Sequence, residues 1–139
     1  MAGIQEIRTA LAAQIDAAGT GLRVSTYAQG SISPPAAVIL PSQGTFTDYD
    51  VSFEQGVATY EMRVVLLVSE GSDRAGTELL DSFLEPTGAL SIRAIIAADP
   101  KLGGVVHYAV AKSVQRYGML EWAGLQYLAA EVLVEVGAD

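Results

Sequence analysis

The segment Val64-Val65-Leu66-Leu67-Val68 limits the possible folds more than any other, because a strand built from it is apolar on both faces. Just upstream the pattern still alternates. Tyr60, Met62, Val64, Leu66 and Val68 share one face, and Thr59, Glu61 and Arg63 point the other way until Val65 and Leu67 turn that face apolar too. A strand of this kind, beginning at about Val57, is expected to be buried on both sides over its later half.

The remaining elements arrange themselves around it. Residues 4 to 18 place Ile4, Ile7, Leu11 and Ile15 at spacings of three and four, an amphipathic helix that Gly19 can close. Arg23 to Tyr27 predicts a short strand, and Ala36-Ala37-Val38-Ile39-Leu40 a buried one stopped by Pro41. Residues 42 to 56 mix Gly44, Asp48, Asp50 and Gly56 with Phe46, Tyr49, Val51 and Phe53, too apolar for an ordinary surface loop and without a helical period. Ser72-Asp73 is a candidate N-cap for a helix packed through Leu79, Leu80, Phe83 and Leu84 and ended by Pro86. A second helix is expected over Ala89 to Ala98, with Thr87 as its cap and Gly103-Gly104 beyond its end. Two long strands, Val105 to Tyr117 and Leu125 to Val136, then form a hairpin joined by Gly118 to Gly124. In the last strand Leu128, Ala130, Val132, Val134 and Val136 fall on one face. The order predicts a single α+β domain over residues 1–139: a mostly antiparallel sheet of about four strands, packed against an N-terminal helix and a helical pair inserted between strands.

Composition narrows the function. Half of the 139 residues are hydrophobic and mean hydropathy is +0.33, yet no apolar run approaches the ~20 residues of a membrane span. The N-terminus lacks the basic region and apolar core of a secretory signal, so none is expected. A small domain has limited interior for so many apolar side chains, which points to interfaces between copies. Net charge is −8, which repels phosphate backbones and anionic membranes. There is no cysteine, which excludes disulfides and thiolate chemistry.

The chemical inventory is thin. His107 is the single histidine and sits among Val105, Val106 and Tyr108, a poor setting for a general base. One histidine plus scattered acids does not make a zinc site. Asp48, Asp50 and Glu54 are only a fragment of a calcium loop, and Glu131 and Glu135 pair on one strand face. The glycine pairs lack any phosphate-binding frame. No catalytic residue, cofactor or metal is therefore expected. Candidate contact residues are the aromatic stretch Phe46, Tyr49, Val51 and Phe53, and the hairpin tip with Met119, Leu120 and Trp122.

This succession of elements, with Gly88-Ala-Leu-Ser-Ile-Arg-Ala-Ile-Ile-Ala-Ala-Asp99 and Tyr127-Leu-Ala-Ala-Glu-Val-Leu-Val-Glu-Val136, resembles the small tail terminator or minor tail proteins of long-tailed bacteriophages along nearly the whole chain. The resemblance implies a virion protein without an active site, assembled in the host cytoplasm. Its copies would form a ring, usually of six, capping the head-proximal end of the tail tube and meeting the head–tail connector. DNA would pass through that ring without specific binding, with Asp48, Asp50, Glu131 and Glu135 as candidates to face the lumen. A head completion or neck protein is the nearest alternative. From a different class stands a small-ligand-binding or enzymatic α+β dimer, using His107, Tyr108 and Glu131 in a pocket between sheet and helices.

Overall fold

In the computed structural model, the described residues are 3–27, 30, 32–42, 47–48 as backbone, 58–71 and 74–138. Helix α1 spans Ile4–Ala17, followed by β1 (Arg23–Ser25), β2 (Ala36–Pro41), β3 (Thr47–Asp48) and β4 (Ala58–Glu70). Helices α2 (Arg74–Leu84) and α3 (Ile92–Ala98), a single 3-10 turn, β5 (Tyr108–Trp122) and β6 (Leu125–Ala138) complete the chain. The fold is α+β and mostly antiparallel, as its sequence pattern predicts. Five strands lie side by side in the order β1-β2-β4-β6-β5, with β3 also paired to β4. Only β1 and β2 run parallel among these strands.

The doubly apolar strand is β4, and it lies in the middle. Its Met62, Val64, Leu66 and Val68 enter the main core with Ile7, Leu11 and Ile15 of α1, Leu80 and Phe83 of α2, and Ile92 and Ile96 of α3. From β6 the predicted face, Leu128, Ala130, Val132, Val134 and Val136, joins the same core. Val65 and Leu67 instead meet Val38, Tyr127 and Ala129 in a smaller cluster on the face away from the helices. The sheet thus has a helix-covered face and an outer face, and β4 buries side chains on both.

Several boundaries move. Helix α3 begins at Ile92, not Ala89, because the buried Ser91 rather than Thr87 caps it: the Ser91 Oγ accepts from the Ala94 N–H at 3.1 Å and donates to the Glu85 carbonyl. Gly88, at φ 115, belongs to the preceding turn. Pro41 ends β2 from within, beyond the stretch Ala36–Val38 that β1 pairs. Helix α2 starts at Arg74, and its proposed Ser72-Asp73 cap lies outside the described residues.

The hairpin differs most. Gly118 does not open a loop; with Arg116 at φ 57 it forms a bulge inside β5, and a second register shift falls between Ala111 and Ser113. Strand β5 runs on to Trp122, opposite Leu125, and the turn is only Ala123-Gly124. Both turn residues have positive φ, 53 and 83, as a type I′ turn requires. Alanine is poorly suited to that conformation, whereas asparagine tolerates it. Ala123→Asn is therefore expected to stabilise the protein by up to about 1 kcal/mol, read as a higher urea midpoint with an unchanged slope.

Candidate functional site

The outer face of the sheet carries a band of charge where β4, β6 and β5 run side by side. Glu61 and Glu135 stand directly opposite each other, an arrangement that repels unless compensated. Lys112 of β5 compensates, with its Nζ 3.7 Å from Glu61 and 3.5 Å from Glu135. The Tyr108 hydroxyl donates to Glu135 at 2.8 Å. Its ring lies across Gly137, where a Cβ would come within 2.2 Å of the ring, so any larger residue there must displace Tyr108.

Four residues back along β6 from Glu135, Glu131 is 1% exposed. Arg63 reaches it from β4 at 3.0 Å and donates its Nε to the Pro41 carbonyl, tying β2, β4 and β6 together. Gln115 donates to the other carboxylate oxygen at 3.3 Å, and Arg116 approaches that oxygen at 3.9 Å. The positive φ of Arg116 sits in the bulge that brings this guanidinium to the site. Glu131 and Glu135 do share a face, as their spacing predicts, but Glu131 is neither solvated nor available to a lumen. Its charge is enclosed and matched.

Beyond this band the outer face turns apolar, and here the predicted contact residues divide. Leu120 and Trp122 pack, half-buried, against the cluster of Val38, Val65, Leu67, Tyr127 and Ala129 of their own sheet. Met119 lies on the helix side and is 45% exposed. The hairpin does not project as an arm, since Glu70 of β4 still pairs with Tyr127 and Gly71 bonds to Gln126 near its end. Phe46, Tyr49, Val51 and Phe53 lie outside the described residues.

A second surface, which the sequence pattern did not point to, runs along the free edge of β5 on the helix side. The end of α2, the start of α3 and β5 enclose a hollow of about 280 Å³ walled by Phe83, Leu84, Pro86, Ile92, Val114 and Val132. At Pro86, Arg93 and Ala111 it meets a neighbouring hollow of about 490 Å³ between α3 and β5, so that the two form a groove. Arg93 stands exposed on the rim and takes part in none of the ion pairs among the described residues. Along the same strand Val110 and Val114 are exposed, and Tyr117 hydrogen-bonds through its hydroxyl to Asp81 of α2 at 2.7 Å.

The set His107, Tyr108 and Glu131 does not converge. Tyr108 lies opposite Gly137, six residues along β6 from Glu131 and hence about 20 Å away. Tyr108 and Glu131 both occupy the outer face, not a pocket between sheet and helices. Among the described residues no three His, Asp or Glu side chains gather as metal ligands. No helix among them is long and apolar enough to cross a membrane. Neither a scan against models of known protein families nor a search of curated proteins finds a match.

Two measurements probe the outer face. Arg63→Ala would leave a buried carboxylate short of its closest cation and is expected to cost about 3 kcal/mol, while Arg63→Met with Glu131→Leu should recover most of that loss. Chemical denaturation of the three proteins checks both values. The Tyr108 phenol is held above its ordinary 10.0, first by burial and then by its bond to Glu135. A raised folded value means that stability tied to this group is intact below pH 10 and declines as pH rises past it. Tyr108→Phe should thus be less stable than the parent at neutral pH, and the gap should narrow above pH 10.

Proposed function

We propose that this chain is a structural virion protein of a long-tailed bacteriophage, a subunit of a ring that ends the tail tube at its head-proximal side and joins it to the head connector. The observation that supports this reading most is the unlikeness of the two open edges of the sheet. One edge is β1, three residues long, beneath α1; the other is β5, fifteen residues long, with exposed apolar side chains and a groove. Two different surfaces on one small domain suit a head-to-tail contact, which closes into a ring when its rotation permits. Copies associating in this way also account for a chain that is half hydrophobic yet only 139 residues long.

The acidic balance of −8 suits a ring through which DNA slides without adhering. In this reading the repulsion comes from the whole charge distribution, since Glu131 is buried and Glu135 is matched by Lys112.

Size-exclusion chromatography with light scattering should give a closed oligomer, six subunits in the simplest case, visible as rings in electron micrographs. The purified protein should also bind the ends of tail tubes and block their further growth. A strict monomer at high concentration that leaves tubes uncapped would overturn the proposal. Binding to the portal-side connector without binding to tubes would reassign the chain to the neck.

A further inference from the structure

We infer that the groove between α3 and β5, with Arg93 on its rim, receives the α1–β1 edge of a second copy of this chain. The inference rests on the ring reading and names the two surfaces that would meet.

The groove side is argued from what its own chain leaves open. Its lining is mostly apolar, with Val114 of β5 and Val132 of β6 on the sheet side, and the guanidinium on its rim joins no ion pair among the described residues. The charged ends of Lys112 and Arg116 on the same strand turn to the outer face, where Glu61, Glu135 and Glu131 match them, so Arg93 is the charge that this groove leaves open. A two-fold contact of β5 with β5 would bring the Arg93 of each copy toward the other, which is unfavourable. Strand-to-strand pairing is opposed as well, because the register shifts at Ala111/Ser113 and Gln115/Gly118 interrupt the ladder. The partner must present a different surface, one that carries acid and fits by side chains.

The opposite edge has that character. Helix α1 lies over β1 and exposes Asp16, and on its flank facing Val105 it exposes Glu6, neither of which joins an ion pair among the described residues. Arg8, between them on the helix, is turned inward to the Thr26 carbonyl at 3.2 Å, leaving Arg23 as the exposed cation of this edge. Beside it Tyr27 is 63% exposed, an aromatic body at the end of β1 suited to an apolar groove. Acid and aromatic on one edge thus complement guanidinium and apolar walls on the other.

The absence of native cysteine makes the test direct. Val114→Cys and Tyr27→Cys are placed in one chain and treated with a short bis-maleimide, and products are resolved by denaturing electrophoresis. The expected result is a ladder extending past the dimer, with each single-cysteine variant remaining uncross-linked. Arg93→Glu, an exposed change checked for folding by circular dichroism, should abolish the ladder and lower the oligomer mass in light scattering. A dimer from Val114→Cys alone would show a two-fold β5 contact and overturn the inference. An intact oligomer that gives no ladder and ignores Arg93→Glu would overturn the inference while leaving the ring reading in place. A monomer under all conditions would overturn both.

Discussion

The described elements are arranged around a strand that has no solvent-facing side over about a third of its length. From Val64 to Leu67, β4 is buried on both faces, so it can exist only with neighbours on both edges and material above and below. The ladders with β2 and β6 supply the edges, and α1, α2 and α3 cover one face. The small cluster of Val38, Val65, Leu67, Tyr127 and Ala129 occupies part of the other. Because each ladder also fixes which way side chains point, a one-residue slip of β6 against β4 would exchange Val132 and Val134 for Glu131 and Leu133 in the main core.

Glu131 reinforces this register. A carboxylate at 1% exposure is tolerated only where donors meet it, and its donors come from both neighbouring strands. A shift of either strand would leave the charge without its partners. The pair therefore acts less as a source of net stability than as a penalty on wrong alignments, a role for which buried ion pairs are better suited.

The legible and illegible parts of the chain differ in the range over which their causes act. The stripe Ile7, Leu11, Ile15 and the alternation Leu128 to Val136 are local patterns, and both end in the core as expected. Glycine at position 118 carries a local signal for a turn, but the bulge formed with Arg116 takes it up inside a strand, and the turn falls at Ala123-Gly124 instead. Ser91 outcompetes Thr87 as a cap because it can also reach the Glu85 carbonyl, a bond that depends on how α2 and α3 are joined. The burial of Glu131 depends on Arg63, 68 residues away, and nothing near either residue announces it. The groove is of the same kind, since α2, α3 and β5 each contribute a wall that is unremarkable in its own segment. The hairpin tip was legible as apolar, but not that Leu120 and Trp122 would turn onto their own sheet while Met119 stayed outside.

The two bulges in β5 divide the long free edge into runs of four, three and five paired residues, Tyr108–Ala111, Ser113–Gln115 and Gly118–Trp122. None of these is long enough to hold a foreign strand by backbone bonding alone, so the edge is a poor template for strand addition. In the proposed ring, association is left to side-chain fit, which forms and dissolves readily. There, subunits joined in the wrong order or the wrong number would come apart again, and correct closure would be reached by trial instead of being lost to the first irreversible contact.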